Sequence, residues 1–353
     1  MHQPSDPESS QEHRLPVRAN LEHLRNEAKL LLRNLREQQS NAKLADAQAQ
    51  VARNYGFRSW RQLKSHVDTL TTLRSEIVAA VRTGDLAGIR RVLDSTPEMV
   101  DASTDLQEHV IRPSDARAMR LVHLAIAENQ EAALRLLIEY GANLDVRNQD
   151  GRLPLHDCFE LGRDHLSKLL LDAGAKPDVC AAAAWGMADR LLPLLREHPE
   201  CANDFQTGIS PLGWCVYGDH VNCAEILLAN GAVLNRPPFD AAVWQPTAHV
   251  ASTKFASLFL AYSANPNCQD REGNTPVHLA IKSRLVLDPS TFVTVLVQAG
   301  ADPGIRNNQG RTPLDEAKLQ VDHTAQTYFP SRPVGVKKMD ATIALLTKIS
   351  PTD

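Results

Sequence analysis

The stretch GRLPLHDCFELGRDHLSKLLLDAGAKPD, Gly151 to Asp178, decides the fold. Gly151 marks a tight turn. Pro154 follows where a helix begins, a position at which its missing N–H costs nothing. Leu155, Cys158 and Phe159 then recur at helical spacing. Gly162 breaks that helix, Leu166, Leu169, Leu170 and Leu171 build a second apolar face, and Gly174 caps its end. The unit is therefore turn, short helix, short helix, turn. Neither helix is long enough to persist alone in water. Each must bury its apolar face against a neighbouring unit, which is the logic of a solenoid.

The same pattern returns elsewhere in register. RLVHLAIAENQEAALRLLIEYGANLD begins at Arg120, and GNTPVH opens a further copy at Gly273. The interval from His123 to Gly141 equals that from His156 to Gly174, and that from Gly213 to Gly231. Gly141 to Gly174 is one full period, and Ser263 to Gly300 is longer only by a short insertion around RLVLDPS. The pattern carried by LPLH (153–156), SPLG (210–213), TPVH (275–278) and TPLD (312–315), joined by YGANLD, NGAVLN and AGADP, resembles the ankyrin repeat. The resemblance runs from Ile77 to the C-terminus and divides into about eight units. It implies an all-α ankyrin-repeat solenoid of helix-turn-helix units joined by β-hairpin-like turns. The sixth unit is irregular, with Pro246 early in its first helix and Ser263 in place of the capping glycine.

Ahead of the repeats lies a basic head. Arg14 to Lys64 holds 11 Lys/Arg against 4 Asp/Glu, a net of +7 in a chain of net charge -4. Leu21, Leu24, Ala28, Leu31, Leu32 and Leu35 predict one amphipathic helix. Leu44, Ala47, Val51 and Tyr55 predict a second, stopped at Gly56. Ser59 and Gln62 predict a capped third helix with Trp60, Leu63 and Val67 inward. The expected domains are a disordered lead-in (1–18), a basic three-helix module (19–70) and the repeat domain (77–353) with insertions at 102–119 and 321–338. LADAQAQVARNYGFRSWRQLKSHVD looks like a module that precedes ankyrin repeats in bacterial proteins. Two roles are open for the head. It caps the exposed end of the first repeat, or Arg25, Lys29, Arg33 and Arg36 meet an acidic surface or nucleic acid.

No motif in the chain points to catalysis, a metal or a cofactor. His123, His156 and His278 invite a catalytic reading, but the resemblance implies a structural hydrogen bond near the turn. In HDC (156–158) the base and thiol are two residues apart, and such positions face different ways on a helix. The turns at 148–151 and 307–310 lack the ligand series of a calcium loop. No apolar run approaches the ~20 residues that span a bilayer. Six cysteines without a C-x-x-C pair fit reduced thiols in a cytoplasm.

Ankyrin-type arrays are expected to bind through hairpin tips and a concave face lined by the first helices. Trp185, Trp214 and Trp244 recur at nearly equal intervals, each close to one repeat, and Tyr217 lies one turn from Trp214. With Glu160, Arg152 and His249 they form the candidate binding set, either as an exposed aromatic patch or as core filling beside the alanines of CAAAAWG. Tyr328, Phe329 and Arg332 are candidate contacts in the second insertion. The expectation is a non-catalytic scaffold for a protein or peptide, in a bacterial cytoplasm. The alternative is a small-molecule binder or enzyme using a pocket of the fourth to sixth repeats, with His249, Cys215 and Glu160 as candidates. Nucleic acid and membrane are not expected partners.

Overall fold

A computed structural model of the chain describes residues 21–104, 119–234, 244–283, 288–326 and 339–349, without the side chains of Gln38, Gln245, Pro246, His249 and residues 321–326. The expected lead-in, most of both insertions, and Tyr328, Phe329 and Arg332 lie outside the described residues. The chain divides into two compact units, Met1–Gln149 with Lys168–Ala173, and Asp150–Ser167 with Gly174–Asp353.

The first unit opens with α1 (Leu21–Gln38), α2 (Leu44–Asn54) and α3 (Trp60–Thr83). Leu24, Ala28, Val51, Ala52, Leu63 and Val67 bury one another, with Leu21, Leu31, Tyr55, Phe57 and Trp60 around them. These are largely the stripes read from spacing. Leu44 is a correction: it is the first residue of α2 and stays 41% exposed. Ser59 Oγ accepts from the Gln62 N–H at 3.3 Å, the expected start of α3. The third helix, however, does not stop near Val67. Nothing between Trp60 and Thr83 breaks a helix, because the stretch has neither glycine nor proline. One helix of 24 residues therefore serves both the head and the first repeat.

The far half of α3 buries Ile77, Val78 and Val81 and packs on α4 (Leu86–Ser95). After a short 3-10 turn, Pro97–Asp101, come α5 (Leu121–Ala127) and α6 (Glu131–Glu139). Helix α5 packs on α3 and α6 on α4, so first helices stack on first and second on second. The ends of the 102–119 segment are clasped by an antiparallel bridge between Ser103 and Arg120, with Thr104 N–H donating to Met119 O at 2.8 Å.

The second unit repeats this arrangement. Its first helices are α7 (Pro154–Glu160), α9 (Val179–Ala184), α11 (Pro211–Gly218), α13 (Trp244–His249), α15 (Pro276–Lys282) and α17 (Pro313–Gln326). They stack in that order. Among the second helices, α10 (Ala188–Glu197) packs on α12 (Val221–Ala229). Likewise α14 (Thr253–Ala261) packs on α16 (Ser290–Gln298), and α16 on α18 (Asp340–Ile349). The remaining second helix, α8 (Asp164–Asp172), follows α7 in sequence, and its residues from Lys168 on belong to the first unit. One apolar core runs from Val179 to Leu346 through these pairs. Helix α17 extends past residue 321, where the sequence suggested an insertion.

The described residues are thus all-α, a solenoid of helical pairs, with eight pairs in sequence if the far half of α3 counts with α4. The turns read as hairpin-like are so where they are best defined. Asp270 N–H donates to Asn274 O at 3.0 Å and Asn307 N–H to Arg311 O at 2.9 Å. Gly273 is required between them: its φ is +77°, and a Cβ there would fall 2.7 Å from the Asn308 backbone nitrogen. Side-chain amides tie each turn to the next. Asn203 donates to Gly231 O at 2.9 Å and accepts from Val233 N–H at 2.8 Å. Asn267 does the same with Gly300 O and Asp302 N–H, at 2.9 and 2.7 Å.

Candidate functional site

The motif histidines are committed to structure. His123 Nε2 lies 3.0 Å from Val146 O, and His278 Nε2 lies 3.0 Å from Arg311 O. Both imidazoles are wholly buried. His278 Nδ1 also takes the Thr275 backbone N–H at 3.2 Å, which leaves the proton on Nε2 to donate to the carbonyl. Burial pushes the His278 pKa below its ordinary value, partly offset by the bond to Arg311 O. His156 is built differently. Its Nδ1 accepts from Leu153 N–H at 2.9 Å, and its Nε2 faces the Asp178 carboxylate at 3.2 Å. Asp178 also caps α9 by accepting from Ala181 N–H at 2.7 Å. The third repeat passes into α9 without a hairpin, so a carboxylate stands where the other repeats offer a carbonyl. A His–Asp pair of this kind orients a helix end; the imidazole is wholly buried, while the Asp178 side chain is 19% exposed.

The tryptophans divide. Trp214 is 1% exposed and Trp244 is fully buried. Trp214 Nε1–H donates to Thr207 Oγ1 at 3.0 Å, and its ring meets Phe159 edge-on at 5.7 Å. Trp244 Nε1–H donates to Asn265 O at 3.0 Å and packs on Phe259. Of the two readings left open by the sequence, core filling holds for both, and neither ring reaches a surface. The small residues of α9, Cys180 to Ala184, are all buried and let the neighbouring helices close in. Gly218 sets the limit of that approach, since a Cβ there would sit 2.3 Å from Ala184 O.

Trp185 is different. It is half-buried at the end of α9, with Nε1–H donating to Leu155 O at 3.0 Å and its ring edge-on to Phe159 at 5.4 Å. Phe159 thus touches both Trp185 and Trp214, a link that the spacing of the tryptophans alone did not disclose. Next to Phe159, Glu160 forms an ion pair with Arg152, their side chains 33% and 22% exposed. Burial raises the Glu160 pKa, Arg152 pulls it back, and Asp157 and Asp150 add to the rise. Tyr217, one helical turn beyond Trp214, is 36% exposed, and Leu161 is 44% exposed. Burial and the nearby Glu160 charge raise the Tyr217 pKa.

Counted from His156, Cys180 and Gly213, the residues Glu160, Ala184 and Tyr217 stand at one register position. Leu161 and Trp185 stand at the next. The structure therefore brings Glu160, Leu161, Trp185 and Tyr217 to the C-terminal ends of three stacked first helices, and Arg152, ahead of α7, reaches Glu160 with its guanidinium. The His249 backbone closes α13, and its side chain lies outside the described residues. Cys215 is fully buried, and that burial holds its thiol well above the ordinary range. Burial likewise pushes the Cys158 thiol up to about 12. Neither sulfur is disposed to act as a nucleophile.

At the tips of the seventh and eighth repeats, a cleft of about 170 Å³ is lined by Arg271, Glu272, Asn274, Lys282, Asn307, Asn308 and Gln309. Its floor is a closed polar network. Asn307 Nδ2 donates to Asn274 Oδ1 at 3.2 Å and to the buried Glu316 carboxylate at 3.1 Å. Arg311 reaches the same carboxylate at 3.4 Å. Such a network sets the register of two repeats. In the head, Arg25, Lys29, Arg33 and Arg36 are exposed along α1 as the spacing suggested, and Arg36 Nε donates to Ala42 O at 3.3 Å. Among the described residues no group of three or more His, Cys, Asp or Glu is placed to hold a metal ion, and no helix is long and apolar enough to cross a membrane.

Comparison with known proteins agrees with the repeat architecture. Residues 77–180 match ankyrin repeats in three copies, and residues 272–308 match a single ankyrin repeat. The chain carries ankyrin repeats over those residues. It is 37% identical to chicken (Gallus gallus) inversin over 137 residues, 37% of this chain and 12% of inversin. It is 24% identical to the mouse (Mus musculus) B-cell lymphoma 3 protein homolog over 208 residues, 58% of this chain and 33% of that protein. Among solved structures, the ankyrin repeat domain of Bcl-3, an IkappaB family member, covers 69% of this chain and 93% of its own, at 21% identity and a TM-score of 0.34. The chain spans well under two thirds of these curated relatives.

Proposed function

We propose that the protein is a non-catalytic scaffold that binds a protein or peptide. The surface is the concave face of the second unit, at the ends of α7, α9 and α11. One observation carries this reading: Glu160 and Tyr217 share a register position on stacked helices, and Leu161 and Trp185 share the next, so large side chains gather at the helix ends. The motif polar groups are meanwhile spent on turns. Ankyrin repeats act generally in protein–protein interaction, and the relatives named above carry such repeats. Tyrosine and tryptophan are favoured interface anchors because one end is apolar and the other can hydrogen-bond. The six cysteines are thiols, which supports a reducing, cytoplasmic setting, and the head's likeness to a bacterial module supports a bacterial one. The head acts as the cap of the first repeat, a role supported by the continuity of α3.

Affinity capture from native lysate tests the reading, with wild type beside Leu161→Ala/Tyr217→Ala. Both residues are exposed, so the melting temperature of the variant falls by only a few degrees. A protein retained by wild type and lost by the variant supports both the scaffold role and its face. Equal capture by the two moves the surface elsewhere, and no capture by wild type turns attention to a small ligand.

A further inference from the structure

The face at α7, α9 and α11 has a chemistry that selects its partner. Residues 150–250 hold 13 Asp/Glu against 7 Lys/Arg, a net of -6, so this face belongs to the acidic part of the chain. On α7, Asp157 and Glu160 are three residues apart and share a side of the helix. Arg152 is the cation the structure places on Glu160, and it leaves a third of that side chain open to solvent. Two helices along the same stack stands Tyr217, more than a third exposed and near enough to feel the Glu160 charge, with Trp185 half-buried at the end of the helix between. An aromatic face next to a partly desolvated carboxylate attracts a cation twice, through the ring quadrupole and through charge. An incoming carboxylate would be repelled by Glu160, with the buried Asp157 behind it. An uncharged apolar side chain would find Leu161 but would leave Glu160 further desolvated without compensation.

We propose that the partner is a basic peptide segment, and that it seats a lysine or arginine side chain against the Tyr217 ring with Glu160 as counter-charge and Leu161 and Trp185 as apolar walls. The inference rests on the reading of this face as the binding surface. Arginine fits the site best, because a guanidinium stacks flat on a ring while donating sideways to a carboxylate. Arg152 stays in place as the internal partner of Glu160 and holds the carboxylate toward the ring.

The test is selection of a random 12-residue peptide library, displayed on phage, against the full chain. Enriched peptides are then synthesised and titrated against wild type, Glu160→Gln and Tyr217→Leu. The expected result is a shared lysine or arginine in the enriched peptides. Their affinity should fall about tenfold in Glu160→Gln, which is one factor of ten per 1.4 kcal/mol. It should also fall in Tyr217→Leu, which keeps apolar bulk but removes the ring, and on raising salt. Enriched peptides without a basic residue, or basic peptides indifferent to Glu160→Gln and Tyr217→Leu, overturn the inference. Acidic or neutral peptides that are lost in Leu161→Ala/Tyr217→Ala would sink the cationic partner while leaving the binding face intact. Failure to enrich any peptide, together with no captured protein, would sink both.

Discussion

Replacing Trp214 by alanine separates core from surface more sharply than any other single change. The ring is 1% exposed, edge-on to Phe159 and 5.4 Å from the His156 ring, with its N–H bonded to Thr207 Oγ1. Truncating a wholly buried tryptophan costs about 3–5 kcal/mol, because transfer free energy is lost and a cavity remains. The lost hydrogen bond lies inside that range, since Thr207 Oγ1 keeps its bond to Ile209 O at 3.0 Å. The expected loss is therefore about 4 kcal/mol. With a urea dependence of about 2 kcal/mol per molar, the midpoint falls by roughly 2 M. Tyr217→Ala, one turn away but exposed, costs ~1 kcal/mol or less. Urea unfolding followed by far-ultraviolet circular dichroism measures both. Because repeat arrays can unfold in parts, the transition belonging to the second unit is the one to compare. A Trp214→Ala chain within about 1 kcal/mol of wild type would refute the packing described here. So would a Tyr217→Ala chain that loses as much as Trp214→Ala.

Three further outcomes follow from the same contacts. His278 has a lowered pKa in the folded chain, so the unfolded chain takes up the proton first as pH drops below the ordinary value near 6.5. Its contribution to stability is whole above that value and is lost as pH falls toward the folded one; the melting temperature of wild type should fall more between pH 7 and pH 5 than that of His278→Asn, and parallel curves would contradict this. Iodoacetamide near pH 8 should modify the half-buried Cys201 first and leave Cys158 and Cys215 unmodified until unfolding, as read by mass spectrometry; early labelling of Cys215 would revive a nucleophilic role for it. Gly218→Ala should cost about 2 kcal/mol or more, because its methyl meets a backbone oxygen that cannot swing aside. An unchanged melting curve would mean that α9 and α11 stand further apart.

Much of the architecture was legible because its signals are local. Pro154, Pro211, Pro276 and Pro313 each open a first helix, and the glycines after the second helices mark their ends. Ser263 keeps the same left-handed conformation without being glycine, with φ at 66°, so its place in the pattern was readable even where the residue departed from it. What failed locally was the end of the third helix. Spacing saw the apolar stripe of the head and the opening of the first repeat as separate features. Lacking a breaker, the backbone simply continued from one to the other. His156 was legible as structural, yet its partner was not. The third repeat passes into α9 without a hairpin, and only the three-dimensional path shows that His156 Nε2 faces the Asp178 carboxylate, at 3.2 Å.

The tryptophans show why a period in sequence is weaker than a register. Their nearly equal intervals look like one repeat, but each tryptophan occupies a different point of its helix: Trp244 begins α13, Trp214 lies in the middle of α11, and Trp185 follows the end of α9. Successive residues of a helix turn by about 100°, so a shift of a few positions sends equal side chains to opposite sides. In the middle of α11 the Trp214 ring faces back toward His156 and Phe159 of α7 and is buried. After the last turn of α9 the Trp185 ring lies against Phe159 and the Leu155 carbonyl and stays partly open. Applied to the other residues, the same rule selects Glu160 and Tyr217, which share a register position, with Leu161 and Trp185 one step further on. A binding face in such an array is therefore found by aligning each helix on its own start and reading across at its end, where backbone packing no longer claims the side chains.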